Sequence, residues 1–487
     1  MSSDVQKTTQ THGLGLGEFT LRLKQAGICD LGVVQVPGAN VLLPWGVALS
    51  ERLVTLIRAS FNEMGLDEYA YPQVVPEVCF EPMADLLDSQ RGLLQIATRL
   101  DMEQGRSRGV LTPTGEQVIA SHWRQLVHQS ESLPIRMFQR ARYFRPVSSA
   151  DRSGKGVFAA LEAADIFEFH CCHPLKQTAL DDIQKLHQRL LKLVNELPLP
   201  QFVGIRPPWG NHSELYEWAL GGDTPLPSGE CVQTSALYFQ GQQLSRRYDI
   251  GFGKGEQRQH TWQLDGFVSR RTMYAQLCLT AKQDGSLSVH PRLASTQIVI
   301  LARSLEQAHD ERQQLQLLLG QLKAQGRRVL LEYCVDAKAL TNKFKQWKGR
   351  GAPLLMLYFG RRHPQDQLRI RLYRTDSDQE VGASADTDML ARQVENALDD
   401  IDDDASETIL RRARAQIVFA SSIDDARDAL AARKSVVAPV CPTRENAQEV
   451  ATWKMGELCS FAAAENSAPC IFSGRPTWAR ALLSRRI

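Results

Sequence analysis

The sequence contains no apolar run long enough to span a bilayer, and its first residues, which include Asp4 and Lys7, lack the apolar core of an export signal. We therefore expect a cytoplasmic protein with no membrane partner. A strong charge of either sign is also missing: the net charge is only +2, too small for a field that attracts nucleic acid or anionic lipid. Ten cysteines without an export signal favour reduced thiols over a disulfide framework.

The 487 residues suffice for roughly three domains. From Gln297-Ile298-Val299-Ile300 onward the pattern changes to alternating strands and helices, which marks a domain boundary and predicts a parallel or mixed sheet. The predicted division is an N-terminal arm (1–17), a first domain (18–296), an α/β domain (297–385) and a C-terminal region (386–487). In the last of these we expect helices broken at an acidic turn, then a short irregular segment over 436–487.

A polar loop lies just before a predicted helix over residues 114–127. Its sequence, Leu111-Thr112-Pro113-Thr114-Gly115-Glu116, places a hydroxyl beside a carboxylate, which suits a cationic amine. Arg142 lies on the following predicted strand (133–145) and suits a carboxylate. Together these groups form a clamp for an amino acid. The alternative is that Thr114 only caps the helix.

The order of these segments resembles that of archaeal- and eukaryotic-type prolyl-tRNA synthetases, which are class II enzymes, over about residues 18–487. The resemblance implies an α+β class II core built on an antiparallel sheet, an α/β anticodon-binding-like domain and a small zinc-type C-terminal domain. It also implies a homodimer formed around the first motif. The matching segments are Tyr71-Pro72 with Pro76, Arg142, Trp262-Gln263 with Gly266, Ser269-Arg270, Gln297–Ile300, Lys343-Phe344 with Trp347, and Gly351-Ala352-Pro353.

The resemblance assigns roles to five residues. Thr114 and Glu116 hold the substrate amino group, and Arg142 bridges the substrate carboxylate and the α-phosphate of ATP. Arg142 and Arg270 are the expected catalytic residues. With Gln233 they are also the expected contacts to ATP, which the family uses with Mg²⁺.

Other family contacts to ATP are missing. Phe144 stands where the family has a glutamate that meets adenine, and Glu162 stands where it has an arginine. Leu237 and Phe239 replace a threonine and a histidine further along. Arg145, Arg152 and Lys155 are possible replacement cations, although a charged turn is more often only solvated.

The parts that would read tRNA and hold zinc are also changed. Lys348 and Leu355 replace the glutamate and arginine that contact anticodon guanines in the family. Cys441 and Cys470 match two zinc ligands, but Ser473 replaces a third. Tetrahedral zinc needs four ligands, so we expect no zinc.

Two further patterns attract attention. His170-Cys171-Cys172-His173 resembles a metal cluster, but neighbouring residues of a strand point to opposite faces, so we expect no metal there. The acidic run 399–404 precedes the basic run 411–414 at helical spacing, and we expect the two runs to pair with each other.

Three hypotheses remain open. The first is a diverged paralogue that binds proline or a proline-like amino acid, with aminoacylation weak or lost. The second is an amino-acid-adenylating ligase that passes the aminoacyl group to a carrier protein or another acceptor. The third is an active proline–tRNA ligase with tRNA as its partner.

Overall fold

A computed structural model describes residues 14–31, 36–84, 93–148, 154–209, 213–303, 309–361, 366–384 and 386–487. In these ranges no helix combines the length and apolar character needed to cross a bilayer. Arg152, one of the suggested replacement cations, lies outside the described residues.

The main sheet has eleven strands and is largely antiparallel, which confirms the predicted antiparallel core. Across the sheet the strand order is β20-β21-β23-β22-β9-β10-β11-β14-β8-β7-β3. These strands are β3 (Asp67–Tyr69), β7 (Ile135–Phe144), β8 (Glu162–His173), β9 (Phe202–Ile205), β10 (Trp218–Pro225), β11 (Glu230–Gly241), β14 (Trp262–Ser269), β20 (Ile417–Phe419), β21 (Ser435–Pro439), β22 (Glu457–Pro469) and β23 (Pro476–Arg486).

Three small sheets also occur among the described residues. They pair β1 (Cys29–Asp30) with β2 (Val41–Leu42), β12 (Gly251–Phe252) with β13 (Gln259–His260), and β4 (Val74–Val75) with β6 (Gly109–Leu111) and β5 (Leu94–Ile96). Strand β6 leads directly into the polar loop, so this local sheet positions the loop over the main sheet.

One face of the main sheet is covered by helices. The helix α2 (Pro44–Glu63) starts with proline at its first turn and buries Leu49, Leu53 and Phe61 at helical spacing. The ring of Phe61 contacts three phenylalanines of β7 and β8 edge to face, at centroid distances of 5.4 to 6.2 Å. Other helices before residue 290 include α1 (Leu16–Gln25), α3 (Arg99–Glu103), α4 (Glu116–Leu126), α5 (Lys176–Glu196), α6 (Gln243–Arg247) and α7 (Arg271–Thr280).

A second, five-stranded sheet forms after residue 297, with the mixed pairing that the alternating pattern predicts. Its order is β16-β15-β17-β18-β19, with the first three strands parallel and the last two antiparallel. The strands are β15 (Ile298–Arg303), β16 (Val329–Cys334), β17 (Leu354–Gly360), β18 (Arg369–Arg374) and β19 (Gln379–Val381), with the helices α8 (His309–Ala324) and α9 (Ala337–Arg350).

The prediction of a helix break at the acidic run is wrong. Residues 399–404 lie inside one continuous helix, α10 (Thr387–Arg414). Its carboxylates do not pair with the basic run: Asp404 contacts Arg374 of β18, and Asp402 is 2.6 Å from Arg292. Arg412 instead donates to backbone carbonyl groups of residues 279 and 281. The acidic run is therefore partly neutralised by arginines of distant elements, which its own sequence does not reveal.

The prediction of an irregular segment over 436–487 is also wrong. It contains β21, β22 and β23, with α12 (Arg444–Thr452) between them, and α11 (Ile423–Ala431) precedes them. Strand β23 reaches back to β11, pairing Glu230 with Arg485, so these strands extend the main sheet. The division of the chain into domains stays a prediction.

Candidate functional site

A cavity of about 1180 Å³ lies on the main sheet, beneath the polar loop and beside β7, β8, β11 and β14. All five residues that the sequence suggested as site residues line this one cavity: Thr114, Glu116, Arg142, Gln233 and Arg270. Thr114 and Arg270, the first and last of the five, are 156 residues apart in the sequence, and the sheet brings all five together.

The hydroxyl of Thr114 donates a hydrogen bond to the Glu116 carboxylate. The helix α4 begins at Glu116 with Gly115 as its N-cap, and no side chain caps it, so Thr114 does not have the capping role. Among the described residues, no lysine or arginine pairs with Glu116. The lone pairs of the Thr114 oxygen and the second carboxylate oxygen therefore offer acceptors to an ammonium group.

The neighbouring loop residue Gly115 lies directly against the cavity floor. A Cβ atom at this position would collide with the carboxylate of Glu168 and the hydroxyl of Tyr143. Space, not a left-handed backbone, requires glycine here, since its φ is −90°. The loop is therefore in contact with the buried groups described below.

The two arginines expected to act in catalysis are both held by carboxylates. Arg142 Nη1 is 2.5 Å from Glu162 Oε1, in a pair that is about half exposed. Arg270 donates to Asp165 Oδ2 from Nε at 2.8 Å and from Nη2 at 2.5 Å. Burial tends to raise the pKa of Asp165, but the charge of Arg270 and the hydrogen bonds it receives lower it, so the carboxylate is ionised.

A bulge creates these pairings. Where β7 and β8 pair, Ala141 is opposite Ile166 and Tyr143 is opposite Ala163, so that Ala164 and Asp165 together face the single residue Arg142. Asp165 has a φ of +53°, an uncommon value that aspartate tolerates better than most residues. Bulges beside a site commonly redirect a side chain, and here the bulge turns a carboxylate towards Arg270.

Basic side chains gather at the other end of the cavity. Arg486 donates to Gln233 Oε1 at 3.1 Å, and Arg271 donates to the backbone oxygen of Ile487 at 3.4 Å. Burial, together with the charges of Arg145 and Arg486, lowers the pKa of Arg271 to about 10. Mutual repulsion of this kind marks a place where an anion would be stabilised.

The floor of the cavity is polar although it lies within the sheet. Along β8, Phe167, Phe169 and Cys171 point into the main core, whereas Glu168 and His170 line the cavity. Because residues directly opposite each other in an antiparallel pair share a face, the partner of His170 on each neighbouring strand lies on the same face of the sheet. On β14 this partner is Asp265, which pairs in turn with Tyr238 on β11, and both line the cavity, whereas the β7 partner, Met137, does not.

Hydrogen bonds connect the floor residues. Glu168 accepts from Gln139 Nε2 at 2.7 Å and from the Tyr143 hydroxyl, and Asp265 accepts from Gln240 Nε2. His170 lies between the two carboxyl groups, with Nε2 3.5 Å from Glu168 Oε1 and Nδ1 4.0 Å from Asp265 Oδ2.

The charges of the floor are set by this arrangement. Burial opposes the protonated form of His170, but Glu168, Asp265 and Glu116 outweigh it and raise the pKa of His170 to about 9. Burial raises the pKa of Asp265 well above its ordinary range, and Glu116 and Glu168 add to the effect. Burial also tends to raise the pKa of Glu168, but the charge of His170 and its hydrogen bonds lower it. These shifts favour an imidazolium at His170, the ionised form of Glu168 and the protonated form of Asp265.

The sequence did not identify Glu168, His170, Asp265 and Gln240 as a binding surface. A usable signal exists in β8, where polar residues alternate with aromatic ones although both faces are buried. When a strand is buried on both faces, polar residues along one face indicate that this face lines a binding site.

The other flagged cysteines and histidines have distinct surroundings. Cys171, His173 and Asp182 lie close enough together to suggest a metal, but Asp182 already accepts two hydrogen bonds from Arg136 at 2.9 Å. Cys441, Cys470 and Ser473 form a second group. There the backbone N–H of Cys441 donates to the Cys470 sulfur. Burial tends to raise the pKa of Cys470, but hydrogen-bond donors of this kind outweigh burial and lower the pKa to about 7.

The two residues at the positions expected to contact an anticodon make their contacts within the protein. Lys348 pairs with Asp378 at 3.0 Å and lies over the ring of Tyr373. Leu355 is fully buried in β17.

Comparisons with known proteins agree with this architecture. The proline–tRNA ligase of Ignicoccus hospitalis is 23% identical over 441 residues, which cover 88% of each chain. That of Thermofilum pendens is 25% identical over 442 residues, 88% of this chain and 87% of the relative. The prolyl-tRNA synthetase of Giardia lamblia, solved in complex with prolyl-adenylate, superposes with a TM-score of 0.83 at 17% identity and covers 98% of this chain and 99% of that one. No family model matches the chain.

The chain therefore has the fold of an aminoacyl-tRNA synthetase. Along nearly its whole length it is similar to curated proline–tRNA ligases, at low identity.

Proposed function

We propose that this protein is a prolyl-tRNA synthetase-like protein that binds a free amino acid in the cavity, and that tRNA aminoacylation is weak or lost. The observation that carries the proposal is the carboxylate of Glu116, which lines the cavity beside the Thr114 hydroxyl without a lysine or arginine partner among the described residues. The α-ammonium group binds at Thr114 and Glu116. The α-carboxylate binds Arg142, since a solvent-exposed ion pair such as Arg142–Glu162 is worth only ~0–1 kcal/mol and is readily exchanged. The relatives are named for proline, so proline and its analogues are the first ligands to test.

The proposal of weak activation rests on the partners of the arginines. Arg270 is held by the buried carboxylate of Asp165, and Glu162 places an anion where Arg142 would meet a phosphate. A preorganised contact to transition-state charge is typically worth about 2.7–4 kcal/mol, so losing one lowers a rate by on the order of a hundredfold or more. Weak recognition of tRNA is supported by Lys348, paired with Asp378, and by the burial of Leu355.

Isothermal titration calorimetry with proline and a panel of other amino acids tests the binding proposal. Glu116→Gln removes the charge that receives the ammonium group and is expected to weaken binding at least tenfold. The exposed Glu256 gives a matched control, because Glu256→Gln removes one carboxylate away from the cavity. Absence of binding by every amino acid in the panel would overturn the proposal.

A second candidate function is adenylation with transfer to a carrier protein or another acceptor. It is favoured by the basic group at Arg145, Arg271 and Arg486, which offers a different place for the triphosphate of ATP. This function predicts amino-acid-dependent ATP–pyrophosphate exchange that is lost in Arg271→Gln, and a thioester on a partner protein. Exchange that is insensitive to Arg271→Gln would contradict it.

We also propose a homodimer formed through the segment around Tyr71-Pro72. Strand β3 is an edge of the main sheet, and Val74 and Val78 nearby are exposed. Light scattering on the wild type and on Val78→Asp tests this, and a monomeric wild type would contradict it.

A further inference from the structure

We infer that the cavity selects an amino acid whose side chain carries a second cationic group, that is, a basic or diamino acid and not proline. This inference rests on the proposed amino-acid site and names its substrate class. It concerns the floor of the cavity, where the side chain of a ligand held at Thr114 and Glu116 would lie.

The first observation is the balance of charges. Three of the carboxyl groups that line the cavity, those of Glu116, Glu168 and Asp265, have no lysine or arginine partner among the described residues, whereas those of Glu51, Glu162 and Asp165 each pair with an arginine. His170 is the basic side chain that lies within 4.0 Å of both Glu168 and Asp265. Glu168 and Asp265 are 7% and 5% exposed, and carboxyl groups are rarely so buried without a cation.

The second observation is independent of these carboxyl groups. His170 and Gln117 are only 2% and 1% exposed and both line the cavity, yet His170 Nε2 and Gln117 Oε1 lack a hydrogen-bond partner. Nε2 of His170 has only the charge of Glu168 at 3.5 Å, without hydrogen-bond geometry. Gln117 donates to the sulfur of Met83 at 3.7 Å and leaves its carbonyl oxygen free to accept. Buried polar atoms without partners are uncommon, and the unpartnered acceptor of Gln117 indicates a ligand that donates a hydrogen bond.

A proline ring does not satisfy this surface. Its methylene groups would exclude water from the carboxyl groups and the amide without offering a donor. Buried polar groups that are left unpaired in this way weaken binding strongly. A side-chain ammonium offers three donors and a positive charge. It pairs with Asp265, whose burial favours the protonated form, so formation of this ion pair releases a proton to the solvent. The remaining donors of the ammonium group reach Glu168 or Gln117.

Calorimetry with matched pairs of ligands tests the inference. Each pair shares its carbon skeleton and differs in one ammonium group: 2,4-diaminobutyrate with 2-aminobutyrate, ornithine with norvaline, and lysine with norleucine, with proline measured alongside. The expected result is that at least one diamino acid binds tenfold or more tightly than its neutral partner and than proline.

Two variants connect the preference to the floor. Asp265→Asn, which keeps the size of the side chain, is expected to reduce that preference to less than threefold. It is also expected to abolish the release of about one proton, measured by repeating the titration in buffers of different ionisation enthalpy. Glu168→Gln is the second variant, in case Asp265→Asn does not fold, and Glu256→Gln is the control that keeps the preference. Circular dichroism checks the fold of each variant.

The outcomes separate the inference from the proposed function. Binding of proline or a neutral partner as tightly as the diamino acids overturns the inference and leaves amino-acid binding intact. Absence of binding by every ligand overturns the proposed function itself.

Discussion

Arg270 and Asp165 form a two-point ion pair in which Nε and Nη2 of the arginine donate to one carboxylate oxygen, at 2.8 and 2.5 Å. The other oxygen of Asp165 accepts from Arg140 Nε at 2.8 Å, and the hydroxyl of Ser50 donates to the first at 2.5 Å. With four donors on a carboxylate that is 2% exposed, Asp165 organises this end of the cavity and keeps Arg270 within the protein.

We predict that Asp165→Asn destabilises the fold, because it leaves Arg140 and Arg270 without their buried counter-charge. Removing one partner of a buried ion pair typically costs about 3–5 kcal/mol. Chemical denaturation measures the free energy of unfolding. The control is Glu68→Gln, which breaks the exposed pair with Arg58 and should cost at most about 1 kcal/mol. Equal stabilities of the two variants would contradict this account of Asp165.

We predict that Glu162→Gln tightens amino-acid binding. Glu162 competes with the ligand carboxylate for Arg142, and an exposed pair worth up to ~1 kcal/mol corresponds to a gain of up to about fivefold in affinity. Calorimetry with the best ligand of the panel measures it. Glu103→Gln, which breaks an exposed pair with Arg99 outside the cavity, should leave the affinity unchanged. A weaker affinity in Glu162→Gln would show that Arg142 does not receive the carboxylate.

We predict that Gly115→Ala disrupts the floor of the cavity, because the added methyl group collides with Glu168 and Tyr143. Forcing extra volume into a packed site typically costs about 1–3 kcal/mol, and here it should also weaken amino-acid binding. Gly17→Ala is the control: nothing lies within 4 Å of its Cβ position, and alanine in this helix is expected to stabilise. Normal ligand affinity in Gly115→Ala would contradict the contact between the loop and the floor.

We predict that the protein loses stability as the pH rises from about 6.5 to 9. The pKa of His170 is raised from 6.5 to about 9 in the folded state, so the stabilisation by its imidazolium is complete below pH 6.5 and disappears above pH 9. A shift of this size corresponds to roughly 3 kcal/mol at most, at 1.36 kcal/mol for each unit. Unfolding free energies across this range should fall less steeply in His170→Gln than in the wild type. The exposed His128→Gln should keep the wild-type slope, and identical slopes in His170→Gln and the wild type would refute the prediction.

Part of the fold follows from local sequence. The apolar spacing of α2 and the alternating units after Gln297 predict elements close to those observed, because each buries one face against a neighbouring element. The strands β22 and β23 were not predicted, although they pair mainly with each other. Their junction with the main sheet was not visible either, since it runs through β9 and β11, more than 200 residues away. Within the acidic run of α10, Asp402 pairs with Arg292, and Asp400 and Asp404 pair with Arg374, partners that the local sequence does not reveal.

The site was predictable only in part. The loop and Arg142 could be found from residue types and spacing, and all the suggested residues line one cavity. The carboxylates that pair with Arg142 and Arg270 could not be predicted from the sequence, because a bulge in β8 determines where Glu162 and Asp165 point. The polar floor was hidden for the same reason: neighbours such as His170 and Asp265 meet only through strand register.

The measurement that tests the central claim most directly is amino-acid-dependent ATP–pyrophosphate exchange, made on protein that calorimetry shows to bind the amino acid. The account predicts exchange at background, because Glu162 places an anion beside Arg142 and the buried Asp165 holds Arg270. Robust exchange that Arg142→Ala abolishes would contradict the account and establish that this protein still activates its amino acid.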